Sequence, residues 1–178
     1  MRKFIYLAVC LLMSALQINA KSLVVYFSHT GNTRVVAKEI SQATGADIFE
    51  IQPTTTYPTE KNACIAQCRR ELDSKSYPKV KKMPALSKYD TIYLGSPNWL
   101  THYAPVMLTF MKNANLAGKK VVLFCTYGGG KFGVMKEDVV KLAPKAKVMT
   151  DGLAVKGEKA KVAHNYIVKW LKSNNLIK

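Results

Sequence analysis

Acid is what this chain is short of. Asp and Glu together number 11 among 178 residues, against 27 Lys and Arg, which leaves a formal charge of +16. Such a basic balance points first to nucleic acid, an anionic membrane surface or acidic partners. The first is set aside, because the lysines are scattered and no basic stretch carries interleaved aromatics. Cysteine is also scarce, and two isolated cysteines do not make a zinc site, so no metal centre is expected. There is no internal repeat and no low-complexity linker, which leaves one domain. Neither dinucleotide-type Gly-x-Gly-x-x-Gly nor a Walker loop ending Gly-Lys-Ser/Thr occurs. A long apolar run is missing too, since Phe4 to Leu16 falls short of the ~20 residues that span a bilayer.

What remains is the composition of a folded domain. Hydrophobic residues make up 48 % and charged residues 21 %, which excludes a disordered chain and a multi-span membrane protein. The short apolar run has a use of its own. Arg2 and Lys3 precede it, and Ile18-Asn19-Ala20 offers a small-residue cleavage site before Lys21. That order is a cleaved signal peptide over residues 1–20, followed by one domain over 21–178 and a periplasmic location. Losing Arg2 and Lys3 takes the charge only from +16 to +14, so the basic character belongs to the mature chain. Cys64 and Cys68 stand four apart on a helix face, where either a redox pair or two ordinary core cysteines would fit.

From residue 22 onward, apolar runs alternate with helical patterns. Strands are expected at Leu23–Phe27, Asp47–Ile51, Thr91–Leu94, Val121–Phe124 and Lys147–Val155. Helices are expected around Val35–Ile40, Lys61–Leu72, Pro105–Met111, Val134–Leu142 and Lys159–Leu171, with a loose lysine-rich stretch up to Pro84. Strands alternating with helices make βαβ units, hence an α/β, doubly wound, three-layer, five-stranded parallel sheet of order 2-1-3-4-5. Ligands of such sheets bind outside the carboxyl ends of the strands. The loops after strands one, three and four are therefore the informative ones.

The first reads Ser28-His29-Thr30-Gly31-Asn32-Thr33 and leads straight into a helix. Hydroxyl and amide side chains around a glycine at a helix N-terminus suit an anion, as they also suit an ordinary capped turn. The stretch VVYFSHTGNTRVVAKEI resembles the N-terminal signature of the flavodoxin family. YLGSPNWLTHYAPVMLTFM resembles that family's third strand and loop, and GKKVVLFCTYGGGKFG its fourth strand and glycine-rich loop. The resemblance covers about residues 22 to 175, and three motifs in order are more specific than any one.

The resemblance implies a non-covalently held FMN. Ser28, Thr30, Asn32 and Thr33, with backbone from His29 and Gly31, would hold its phosphate. Ser96, Pro97, Asn98 and Trp99 would flank the ring and ribityl chain, and Thr126, Tyr127, Gly128, Gly129 and Gly130 would line the other side. Trp99, Tyr103 and Tyr127 could stack on a flat apolar ring. His29 reads as an anion neighbour, while His102 is either a proton-coupling group or a solvated loop residue. The family is usually acidic near its flavin, whereas neither loop here holds Asp or Glu and Lys131 follows the glycines. A less reducing flavin is expected on that ground. The function implied is electron transfer as a monomer with an acidic redox partner. An FMN-dependent NAD(P)H or quinone reductase, contact with an anionic membrane, and a fold that has lost its FMN are the alternatives.

Overall fold

A computed structural model describes residues 21–178. The signal-peptide reading falls on residues 1–20, outside the described residues. The first strand, β1 (Ser22–Tyr26), leads into α1 (Asn32–Thr44) and β2 (Asp47–Glu50). Next come α2 (Lys61–Ser74), the long β3 (Thr91–Trp99) and the two-residue β4 (His102–Tyr103). They are followed by α3 (Pro105–Asn113), β5 (Lys120–Tyr127), α4 (Met135–Leu142), β6 (Lys147–Val148) and β7 (Leu153–Lys156). A 3-10 turn over Gly157–Val162 and α5 (His164–Ser173) close the chain.

The sheet runs β2-β1-β3-β5-β6, all parallel, and β7 takes over from β6 beside the second half of β5. Alternation along the strands feeds two cores. Val25, Leu94 and Leu123 face the layer containing α2, α3 and α4, while Val24, Tyr93 and Phe124 face α1 and α5. Both cores and the sheet of the described residues lie within residues 21–178. Strand parity leaves one backbone position with no room for a side chain. A Cβ on Gly95 would sit 1.9 Å from Cζ of Phe124 on the neighbouring strand.

Three expectations need correction. The fifth strand is interrupted between Val148 and Leu153, and within the gap Gly152 lies against the Phe132 ring, which stands 2.5 Å from where its Cβ would be. The closing helix begins only at His164, after the 3-10 turn, and His164 therefore starts the helix rather than sitting mid-way. The lysine-rich stretch is not loose. Thr54 donates to the Lys79 carbonyl and Lys81 to that of Gln52, pinning it alongside the chain beyond β2.

Candidate functional site

The loop after β1 turns into α1 through Gly31, whose φ of +90° lies in the left-handed region where glycine carries no steric cost. The N-cap residue, Gly31, has no side chain to close the helix, and the first turn holds no acid. The N–H groups of Asn32 and Thr33 therefore stay free at the positive end of the helix dipole, while that of Arg34 is taken by Ser28. A Cβ at Gly31 would meet nothing within 4 Å, so the space in front is open. Ser28 is buried and its Oγ accepts from the Arg34 N–H at 3.2 Å, so that hydroxyl braces the loop from beneath. Arg34 is not available to an anion. It donates to both carboxylate oxygens of Glu50, at 2.9 and 2.7 Å, and Tyr26 adds a third bond at 3.0 Å. Burial first, and then Glu50, pushes the Tyr26 hydroxyl up to about 12.

One contact joins this loop to the end of β5. Thr33 Oγ1 and Thr126 Oγ1 lie 2.7 Å apart, both buried. Two hydroxyls carry two protons and share one hydrogen bond, which leaves one proton to donate elsewhere. Thr126 also walls the adjoining cleft, so that proton has an acceptor position to reach.

The end of β3 folds back on itself. Asn98 pairs with Tyr103 and Trp99 with His102, joined by Leu100 and Thr101 at φ +50° and +73°. A two-residue hairpin with both central residues left-handed normally uses Asn-Gly, so Leu100 and Thr101 hold strain there. The Trp99 ring meets Phe27, His29 and Tyr57 edge-on, with centroids 5.6, 5.5 and 4.8 Å away. His29 is half-exposed and also touches Tyr57, at 6.4 Å. Tyr57 is buried and its hydroxyl is held by Glu71 at 3.0 Å.

Two expected site residues belong to the core instead. Ser96 is fully buried, with Oγ donating to the Pro97 carbonyl and accepting from Ala104 N–H. Tyr103 is fully buried as well, its hydroxyl donating to the Leu94 carbonyl. A ring without accessible surface cannot stack on a ligand, and the cause is the hairpin, which returns Tyr103 to the core face.

The glycine loop is sewn to this hairpin. Asn98 Nδ2 donates to the Lys131 carbonyl at 2.5 Å, its Oδ1 accepts from Thr101 N–H, and Val134 N–H donates to the Thr101 carbonyl. Gly133 allows the approach, since a Cβ there would stand 2.5 Å from the Thr101 carbonyl oxygen. His102 stands in β4 with its side chain 35 % exposed, outside the cleft lining. Its Nδ1 lies 3.0 Å from Asp138 Oδ1, and the same carboxylate accepts from Tyr103 N–H. Gly128, Gly129 and Gly130 remain exposed at the rim.

These loops enclose a cleft of about 310 Å³. Of the expected residues, Thr30, Asn32, Pro97, Asn98, Trp99, Thr126, Tyr127 and Gly128 line it together. Lys156, Gly157 and Glu158 line it too and were not anticipated from the sequence. The signal was available, because the fifth strand of a parallel sheet ends at the same edge as the others. Lys156 and Glu158 pair at 2.9 Å, so the cleft does hold one carboxylate, although neither long loop supplies it. A second pocket of about 420 Å³ lies against α2, walled by Trp99, Leu100, Ile65, Cys64 and Cys68. These cysteines and Cys125 are free and buried. Burial pushes the Cys68 and Cys125 thiols up to about 12, so they are protonated at neutral pH.

The arrangement fits FMN on its own geometry: an open, uncapped helix N-terminus, a spare hydroxyl proton, and a cleft between an indole and a phenol. The chain is similar to two Bacteroides proteins assigned as flavoproteins. That from B. uniformis is 29 % identical with a TM-score of 0.75, covering 86 % of this chain and 98 % of the other. That from B. eggerthii is 27 % identical with a TM-score of 0.73, covering 86 % and 97 %. A Lactobacillus acidophilus flavoprotein solved in complex with FMN is 21 % identical, with a TM-score of 0.65 and coverage of 80 % and 97 %, and shares the fold. No curated protein matches the chain. The family model described as Flavodoxin matches residues 21–174, and the chain belongs to the flavodoxin family.

Proposed function

We propose that this protein is an exported electron carrier that holds one FMN in the cleft and exchanges electrons with an acidic partner protein. The observation that carries the reading is the convergence of three loops and the β7 end on one sheet edge, with the uncapped α1 N-terminus at its base. Thr30, Asn32 and the leading N–H groups of α1 would hold the phosphate, with Thr126 donating its spare proton. Trp99 and Tyr127 would flank the ring, and the exposed glycine backbone would approach its polar edge. Bound FMN supplies one- and two-electron chemistry.

The chain's own residues orient and shield the cofactor. Trp99 is braced by three rings, and Asn98 holds hairpin and glycine loop at a fixed separation. Lys156 offsets Glu158 on the cleft wall and Lys131 lines the adjoining groove, a balance that favours added negative charge and hence a less reducing cofactor. The Lys131→Glu variant should then have a lower potential than the parent, and an unchanged or higher one would count against the charge argument. Quenching of FMN and riboflavin fluorescence tests the cradle, since riboflavin lacks the phosphate. FMN should bind at least tenfold tighter, each charged hydrogen bond being worth about 1.5–3 kcal/mol. Equal binding would refute the phosphate cradle. The basic leader-free chain, periplasmic delivery and a monomeric carrier complete the proposal.

The apolar pocket beyond Trp99 favours a second reading, in which a flat acceptor such as a quinone enters and the protein is an NAD(P)H- or quinone-dependent reductase. Steady-state NAD(P)H consumption with and without a quinone separates the two. Turnover by the isolated protein supports the reductase, and none supports the carrier.

A further inference from the structure

We infer that the groove between the glycine loop and the start of α5 is the face on which the acidic partner docks, an inference that rests on the carrier reading above. The groove has a volume of about 590 Å³ and shares two residues, Tyr127 and Lys156, with the wall of the cleft. A partner seated there would touch the same phenol that borders the cofactor position.

Its floor is apolar where folding gives no reason for exposure. Val162 is 76 % exposed and Tyr166, four residues on, is 53 % exposed, and both line the groove together with Phe132. Val162 is the most exposed large hydrophobic side chain among the described residues. Apolar surface left in water gains free energy only when something covers it.

The rim is cationic. Lys131 and Lys159 form no ion pair among the described residues, and Lys156 pairs only with Glu158. Lys136 stands 5.8 Å from the Phe132 ring centre and donates to the Thr150 carbonyl. Two carboxylates, Asp151 and Glu158, oppose these four lysines. Asp151 is already engaged, accepting from Trp170 Nε1 at 3.1 Å and Asn174 Nδ2 at 2.9 Å. A small apolar centre inside a charged rim is the anatomy of a transient redox interface, which stays below about 1,200 Å² and is steered by charge. Other lysines lie elsewhere. Lys82 and Lys88 line a hollow with Leu23 and Asp47, at the amino ends of β1 and β2, on the sheet edge opposite the cleft.

The test is residue-resolved NMR of ¹⁵N-labelled residues 21–178 loaded with FMN, titrated with an acidic plant-type ferredoxin as surrogate partner. At about 10 mM salt, where screening extends roughly 30 Å, amides of Tyr127, Lys131, Lys159, Val162 and Tyr166 should shift or broaden. The effect should fade by about 150 mM salt. Lys159→Glu should weaken binding about tenfold and Val162→Ser/Tyr166→Ser several-fold. The charge-matched Lys145→Glu, at an exposed residue beside the amino end of β5, whose carbonyl takes the Gly118 N–H, changes it less than about twofold. Perturbation centred elsewhere, an equal loss in Lys145→Glu, or no binding overturns the inference. So does broadening of these amides by phosphatidylglycerol vesicles alone, which would assign the face to a membrane. FMN retention is measured on the same samples. A parent that releases FMN yet shows the mapped face would overturn the carrier reading and leave the docking face standing.

Discussion

The buried hydroxyl pair between α1 and β5 permits a prediction with a definite size and sign. Thr33 is 1 % and Thr126 4 % exposed, and their oxygens lie 2.7 Å apart. Replacing Thr33 by Val keeps the shape but removes the only protein partner of the Thr126 hydroxyl, and at 4 % exposure the cleft gives that hydroxyl little water in return. An unpaired buried polar group costs about 1–3 kcal/mol, so Thr33→Val should lose about 2 kcal/mol, and Thr126→Val a similar amount. At roughly 2–4 °C per kcal/mol for a chain of this length, each Tm falls by roughly 4–8 °C. The double Val variant removes both groups at once and should lose much less than the sum, giving a coupling of about 2 kcal/mol. Urea unfolding of the four FMN-free proteins measures the cycle directly. A second readout separates brace from ligand: the double variant, though no less stable than either single variant, lacks the spare proton and should bind FMN about tenfold more weakly. Additive losses across the cycle would refute the pairing. An unchanged FMN affinity would refute the donor role.

Four further outcomes follow from the same packing. Gly95→Ala drives a methyl into the Phe124 ring, so it should lose about 3 kcal/mol or more, with Phe124→Leu in the same chain restoring part of it. Thr101→Gly relieves a β-branched residue at φ +73° and should raise stability by about 0.5–1 kcal/mol in urea melts; a loss would show the turn is not strained. The three buried thiols should resist iodoacetamide at about pH 8 and react fully in urea, whereas rapid native labelling would contradict their burial. Three carboxylates titrate below their ordinary range: Asp47, held down first by the Tyr89 hydroxyl at 2.6 Å, Glu60, by the N–H groups of Asn62 and Ala63, and Glu158, by the Lys156 ammonium. A depressed folded value stabilises the fold above the unfolded pKa, and that contribution is lost as pH falls through the folded one. Urea midpoints should therefore hold down to about pH 5 and drop below about pH 4, less steeply in Glu60→Gln; an equal slope would remove Glu60 from the account.

The βαβ frame was legible because each strand carries a run of Val, Leu or aromatics bounded by turn residues, and the cradle because Ser28 to Thr33 directly precede an amphipathic helix. Parity was not legible at the β3 end. Read linearly, Tyr103 lies in the loop with Trp99, yet the Leu100-Thr101 reversal turns it into the core and leaves Trp99 outside. Ser96 failed likewise, since a hydroxyl in a motif does not reveal whether it faces cleft or interior. The β7 end was missed because Lys156, Gly157 and Glu158 form no motif, and only the sheet brings them to the cleft. Within the break, Gly152 packs against Phe132, twenty residues earlier, and no local pattern encodes that contact.

The central claim is that the cleft holds FMN, and the most direct measurement is an absorption spectrum of residues 21–178 after incubation with FMN and desalting. The account predicts a retained two-band flavin spectrum at about one FMN per chain, as one cleft with one phosphate cradle requires. A colourless protein that also leaves FMN fluorescence unquenched would contradict it, with the fold intact and the redox reading gone.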